Sequence, residues 1–286
     1  MNYYDLALKR KSTREFKPRK VGSDLLEEIN DYALTCPRLL KDAQTKWQIL
    51  LGENTFEALS GCAGYHGFMV EAPAYLLLLS DPCPWYLENA GYMGEEMVLK
   101  LTDLGLATCW ITIREPEKLK EKLNLATPMV PAALIAFGWE KTSPGMRIDI
   151  KSPSNISLKQ RSGQIAPKLY LEDAVYEGDW GMPSTIQHWS PRSDLYRALI
   201  AACCAPTALN RQPFRFIFDH NQITLVILPD QLTSPENAKL NTGIVMHDFA
   251  KVMEQQNSRA GQWNLTPADN GYHLPKGAVA AGSFSL

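Results

Sequence analysis

Two stretches 152 residues apart constrain the fold more than anything else in this 286-residue chain. Asn89, Gly91 and Glu96 fall on Asn241, Gly243 and Asp248, inside runs that read as long helices of matching apolar phase. Met93, Met97, Leu101 and Leu104 give the first run one apolar face, and Val245, Phe249, Val252 and Met253 give the second its own. Other segments repeat at nearby offsets. Trp47-Gln48-Ile49 falls on Phe214-Arg215-Phe216, which places Ala43 and Thr45 opposite Asn210 and Gln212. Leu8, Lys9 and Ser12 match Leu158, Lys159 and Ser162, while Arg10 and Arg14 meet Gln160 and Gln164. A chain of this kind folds as two related halves, each keeping a feature that the other has lost.

The boundaries follow from composition. Residues 1–150 read as a first half, 192–286 as a second, and 151–191, rich in Ser, Pro, Gln and Gly, as a crossing connection. In the first half, Ser23 is expected to cap a helix running to about Leu34, and residues 89–106 to form the long helix ended by Gly105. Trp47–Leu51, Tyr75–Leu79, Thr108–Ile113 and 131–138 read as strands, with a short helix opened by Pro116. In the second half, Ser193 caps a helix, Phe214–Phe218 and Ile223–Leu228 are strands, and Asn241–Gln256 is the long helix. These elements specify an α+β chain with a central, mostly antiparallel sheet flanked by helices.

Two polar runs stand out. Lys9-Arg10-Lys11-Ser12-Thr13-Arg14-Glu15-Phe16 combines planar guanidinium forks, a point charge and a short hydroxyl, the donor set that suits a phosphate-bearing ligand. Its bland alternative is a solvated basic loop. Ala205-Pro206-Thr207-Ala208-Leu209-Asn210-Arg211-Gln212-Pro213-Phe214 joins a helix to a strand through Thr, Asn and Gln, stiffened by two prolines. It is either a polar ligand loop or a turn that caps its neighbours.

Composition narrows the classes. With 29 Lys and Arg against 31 Asp and Glu, the net charge of −2 gives no electrostatic case for nucleic acid. The longest apolar run, Ala72–Leu79, is too short for a membrane span, and the N-terminus has no apolar signal core, so a cytoplasmic protein is expected. Six cysteines lack any Cys-x-x-Cys spacing and are expected to be reduced; the five histidines spell no metal motif. No Ser/His/Asp or Cys/His arrangement suggests a side-chain nucleophile.

The run Arg10–Phe16 resembles the opening signature of the nitroreductase family of flavoproteins, and Pro206–Phe214 resembles its second signature. Leu104–Ile111 is similar to the segment after that family's long central helix. Ordinary members carry both signatures in one short chain and pair, so the pattern here is similar to such a dimer fused into one chain, as in the branch known as putative transmembrane nitroreductases. Thr207-Ala208, Phe214 in place of Trp, and the loop after Trp110 depart from the family pattern.

The resemblance implies a nitroreductase-like fold with two pseudo-twofold halves and one FMN held between them. It assigns Arg10, Lys11 and Ser12 to the phosphate and ring edge, and Arg14 to the N1 and O2 edge. Thr207, Asn210 and Gln212 fall to the ribityl chain and ring, Pro206 to packing on the ring, the backbone at Thr112 and Ile113 to N5, and Arg147 to a second phosphate cation. It further implies an FMN-dependent oxidoreductase passing hydride from NADH or NADPH to a nitro compound, quinone or similar acceptor, acting as a monomer. The alternatives are a flavin-binding or storage protein, or a specialised flavin reaction such as reductive dehalogenation or flavin cleavage.

Overall fold

The computed structural model describes all residues except 53, 66–67, 142–145, 153–154, 161–165, 258–260 and 268–270, and it describes no side chains between 142 and 165 or at 187, 256 and 257. The first half runs α1 (Tyr3–Lys9), α2 (Ser23–Leu34), β1 (Thr45–Leu50), α3 (Thr55–Leu59), β2 (Ala74–Ser80), α4 (Tyr86–Asp103), β3 (Ala107–Ile111), α5 (Pro116–Lys122) and β4 (Val130–Gly138). A hairpin follows, β5 (Met146–Ser152) and β6 (Asn155–Gln160), then α6 (Leu171–Ala174) and β7 (Val175–Glu177). The rest is α7 (Asp194–Cys204), β8 (Phe214–Asp219), β9 (Gln222–Ile227), α8 (Pro235–Asn257), β10 (Trp263–Asn264) and β11 (Val279–Ser285).

Each half has its own main sheet. The first is antiparallel throughout in the order β1-β2-β4-β3, and the second has the order β10-β11-β9-β8-β7 with only β7 and β8 parallel. β2 is buried on both faces, which explains its unbroken apolar run. Leu76 and Leu78 face a cluster with Met93 and Met97 of α4, while Tyr75 and Leu77 face one with Leu59 of α3 and Leu119 of α5. In the second half Phe216 and Leu225 pack with Phe249 and Val252 of α8. The segment read as a crossing connection contains regular structure. The hairpin β5–β6 runs across position 150, and β7 joins the second sheet as an edge strand.

Local signals mostly act as read. The Ser193 hydroxyl accepts from the Tyr196 amide and opens α7. Gly105, at φ +76, ends α4 as the left-handed residue after the cap. Ser23 is different: it is the first helical residue, Gly22 holds the cap position, and the Ser23 hydroxyl turns to Asp24 instead. α8 starts at Pro235, six residues before the expected start, because proline suits a first helical turn and no breaker stands between it and Asn241. Among the described residues no helix is long and apolar enough to cross a membrane.

The halves meet where α4 crosses α8. A Cβ on Gly91 would run into the carbonyl of Leu240, and one on Gly243 into the carbonyl of Glu88. Since Glu88 and Leu240 are themselves 152 residues apart, the two contacts are the same contact related by a pseudo-twofold. The first half also reaches into the second. α1 leaves its own half and sets Ala7, Tyr3 and Tyr4 into the α7–α8 core, with the Arg197 guanidinium 4.2 Å over the Tyr4 ring.

One turn below the crossing lies a buried ionic cluster. His247 of α8 is wedged between Glu96 of α4, at 2.7 Å, and Asp248, at 3.0 Å, and Glu96 also accepts from the Tyr3 hydroxyl at 2.9 Å and from Tyr32. Burial opposes charge on His247, but the hydrogen bonds to Asp248 and Glu96 outweigh it and raise its pKa to about 9. Burial likewise opposes Glu96, yet its bonds to His247 and Tyr32 lower it to about 2. Glu95, on the adjacent position, is pushed up to about 7 by burial and by the charge of Asp248.

Two predictions follow from this core. Gly91→Ala and Gly243→Ala each force a methyl onto the facing backbone and should cost about 1–3 kcal/mol or more, read as a lowered urea midpoint. Stability should also depend on pH on both flanks. Glu96 stabilises above its unfolded value near 4.5 and loses that contribution as pH falls toward about 2. The contribution of His247 is present below about 6.5 and is lost as pH rises through about 9, and that of Glu95 is lost on the way up through about 7. Glu96→Gln removes one partner of a buried pair and should cost about 3–5 kcal/mol near neutrality while flattening the acid flank. Denaturation midpoints measured across pH check both points; an acid flank as steep in Glu96→Gln as in the wild type would refute the assignment.

Candidate functional site

A cavity of about 470 Å³ lies between the halves, within the range of small-molecule and cofactor sites. The first half supplies the strip Arg10–Arg14. This strip lies along β3, with Ser12 bridged to Thr108 and the Thr13 amide donating to the Thr108 carbonyl at 2.8 Å. Because α1 is docked on the second half, the strip starts there and returns to its own sheet, crossing the seam. Trp110 of β3 forms part of the wall, held by its indole N–H donating to Glu95 at 2.9 Å. The space it occupies would be filled by any side chain on Gly94.

The second half supplies Pro206 through Asn210. The loop is locked in an uncommon shape: Leu209, Asn210 and Gln212 have φ of 54°, 55° and 53°, the left-handed region. The Thr207 hydroxyl accepts from the Gln212 amide at 3.0 Å, and its carbonyl accepts from the Asn210 amide at 2.9 Å, so the strained turn is braced from inside. The Ala208 amide donates to Asn241 of α8 at 3.1 Å, fixing the loop to the crossing helix.

The electrostatics are one-sided. Arg10, Lys11, Arg14 and Lys168 line the cavity, and no carboxylate lines it among the described residues. Arg10 is only 5% exposed and faces Glu95 at 3.7 Å, an ion pair too long to be a hydrogen bond, so its Nε has no hydrogen-bond partner. Lys168 donates to the Ala205 carbonyl at 2.9 Å and to the Asn210 side chain at 3.2 Å. Burial, then the charge of Arg10, lower its pKa to about 8. Cation beside cation is costly where both are largely buried, and an anion placed between them would relieve that cost.

Of the residues expected at the site, Arg10, Lys11, Ser12, Arg14, Thr112, Pro206, Thr207 and Asn210 line this one cavity. Gln212 and Ile113 do not. The Gln212 amide instead ties the loop to the connection, accepting from the Leu169 amide at 2.8 Å and donating to the Pro167 carbonyl at 3.2 Å. Ile113 bridges Ala63 and packs on the cluster of Leu59 and Leu119, because the chain leaves β3 after Ile111. Arg147 is the second residue of β5, its side chain outside the described residues; so are Gln164 and the rest of 161–165.

Sequence reasoning missed Lys168, Trp110, Asn237 and Asn241, together with the apolar rim of Tyr65, Phe68, Leu209 and Leu232. Phe68 and Leu232 are 84% and 65% exposed, unusual for side chains of that size and consistent with a mouth that takes an apolar partner. A lone Lys in a Ser- and Pro-rich connection carries no signal of its own. Asn241 did carry one, since the repeat pairs it with Asn89.

Comparison with known proteins places the chain. The family model described as "Putative TM nitroreductase" matches residues 2–169. A protein of Methanothermobacter thermautotrophicus described as "Putative NADH dehydrogenase/NAD(P)H nitroreductase" is 19% identical over 160 residues, covering 53% of this chain and 83% of its own. A crystal structure from Thermotoga maritima, described as a putative nitroreductase, superposes with a TM-score of 0.59 at 17% identity over 99% of this chain and 92% of that one. A Bacteroides fragilis nitroreductase solved with bound FMN covers 56% of this chain and 100% of its own, at 16% identity and a TM-score of 0.44. The matched model spans more than half of the sequence, and the Thermotoga fold extends over nearly all of it. The chain belongs to this nitroreductase family.

Proposed function

We propose that the cavity between the halves holds one FMN and that the protein is a flavin-dependent oxidoreductase, taking hydride from NADH or NADPH and passing it to a nitro compound, quinone or similar acceptor. The observation that carries this is the meeting of the two signature runs, one from each half, around a cavity that, among the described residues, is lined by four cations and no carboxylate. The donor chemistry fits a flavin mononucleotide. Arg10, Lys11, Ser12 and Lys168 suit a phosphate, and the hydroxyl and amide of Thr207 and Asn210 suit a polyol chain. Trp110, Pro206 and Ile244 give apolar walls to a flat ring system.

FMN supplies the hydride chemistry when bound; the chain binds and orients it. Arg14 serves the edge that gathers negative charge on reduction, with the backbone at Thr112 lining the same cavity. The braced loop acts by preorganisation: with Asn210 already in its left-handed turn, binding loses little loop entropy. Tyr65, Phe68, Leu209 and Leu232 offer the acceptor an apolar approach. Gln212 takes a supporting role, holding the segment that presents Lys168.

Heat-released flavin, quantified against protein, should approach one per chain. Arg10→Ala removes a charged donor, worth about 1.5–3 kcal/mol or roughly ten- to a hundredfold in affinity, and Asn210→Ala should also lower the ratio, whereas Gln160→Ala should leave it unchanged. Anaerobic stopped-flow with NADH and NADPH tests turnover: bleaching of the visible flavin band supports the oxidoreductase. No bleaching over hours would leave a flavin-binding protein, and a ratio near two would misplace the site.

A further inference from the structure

Lys168 comes to the cavity from the connection between the halves, and the chain on either side of it is tied down. The Pro167 carbonyl accepts from the Asn210 side chain at 2.8 Å, and the Leu169 amide donates to the Gln212 side chain at 2.8 Å. Between these ties the Lys168 ammonium donates to the Ala205 carbonyl at 2.9 Å and to the Asn210 side-chain oxygen at 3.2 Å. The side chain lines the cavity and is half-buried, so it keeps accessible surface.

Both acceptors are neutral, and that makes the protonation state of Lys168 adjustable. An ammonium carries three N–H donors and an amine two, so Lys168 can lose a proton and still make both contacts. Its charge is opposed first by burial and then by Arg10 of the basic strip, while Cys204 of α7, Glu95 of α4 and Asp248 of α8 favour it. Burial pushes the Cys204 thiol up, and the net result for Lys168 is a pKa lowered to about 8. The donor that only the charged form offers has no protein partner among the described residues. A phosphate ester completes its second ionisation near pH 6 and is a dianion where Lys168 titrates.

We infer that Lys168 pairs with the phosphate of the cofactor and makes cofactor retention proton-linked: the chain holds FMN tightly while Lys168 is an ammonium and loosely once it is an amine. The inference rests on the FMN reading and deepens it. Linkage gives the sign. A phosphate beside the ammonium raises its pKa in the complex, so pairing is complete below about 8, and affinity falls as pH rises beyond that, by at most about tenfold per pH unit. The loop is not released in the process, because the amine keeps the contacts to Ala205 and Asn210.

FMN dissociation constants from fluorescence titration of the flavin-free chain near neutrality and about two pH units higher test this, with thermal midpoints at both pH values to show that the chain is folded. Expected for the wild type is a constant about five- to tenfold larger at the higher pH. Lys168→Arg stays charged throughout and should lose that rise. Any slope it shares with the wild type belongs to Glu95, Asp248 and the phosphate itself. Lys168→Gln carries no charge at either pH and should show the same flat profile, with a constant near neutrality about tenfold or more above the wild type. Riboflavin, which lacks the phosphate, should bind Lys168→Gln and the wild type within about twofold of each other. A wild-type constant that does not rise, an equal rise in both variants, or an equal loss of riboflavin and FMN in Lys168→Gln would overturn the assignment while leaving the functional reading intact. A wild-type chain that takes up no FMN at either pH would overturn the functional reading and this assignment with it.

Discussion

The backbone-to-backbone approach of α4 and α8 is the contact on which the rest of this molecule depends. Gly91 and Gly243 let each helix meet the carbonyl of the other, and the next turn of both helices then falls into register. That register brings Glu96 onto His247 and places Glu95 beside Arg10. A buried charge without a partner is strongly unfavourable, so the cluster reinforces one crossing geometry against alternatives that would strand a charge. Dispersion and apolar burial make the interface; the glycines and the ionic cluster decide how it is aligned.

From that alignment the site follows. Loop 205–213 is carried by α7 and pinned by Asn241 of α8, while the basic strip is carried by α1 and bridged to β3. None of these elements encloses a cavity alone. α1 contributes by leaving its own half: because Tyr3, Tyr4 and Ala7 pack in the second core, the chain must cross the seam at Arg10. The connection does more than span the halves, since Pro167, Lys168 and Leu169 are held by Asn210 and Gln212 and bring a fourth cation to the cavity. One chain thus brings both walls of the cavity together.

The pseudo-twofold has been kept unevenly. The crossing glycines, the loop-pinning asparagines and the acidic positions survive in both halves because they maintain packing and buried polar satisfaction, which both halves need. The two polar runs differ between the halves, Arg10 and Arg14 meeting Gln160 and Gln164, and Asn210 and Gln212 meeting Ala43 and Thr45. Leu39 and Leu40 take the Asn89 oxygen where Ala208 takes that of Asn241, and the Met93 sulfur takes the Asn89 amide nitrogen where that of Asn241 has no hydrogen-bond partner among the described residues.

Much of this was written in the sequence. Periodicity set the two long helices, β-prone apolar runs set the strands, Ser193 and Gly105 set their helix ends, and the two polar runs marked both walls of the cavity, because each of these depends on neighbours a few residues away. The early start of α8 and the cap at Gly22 were missed by the same local logic, where one competing residue tipped the balance. Tertiary structure alone decided what requires distance. Gln212 and Asn210 stand two residues apart in one motif, yet Asn210 lines the cavity and Gln212 turns to Leu169, since the left-handed φ at both positions points them by the fold of the loop and not by composition. Lys168 reaches the cavity because Ala205 and Asn210 hold its ammonium there, and Asn241 keeps a buried amide nitrogen without a hydrogen-bond partner among the described residues. A linear sequence records which groups are available, and only the packed chain determines which of them are left without a partner.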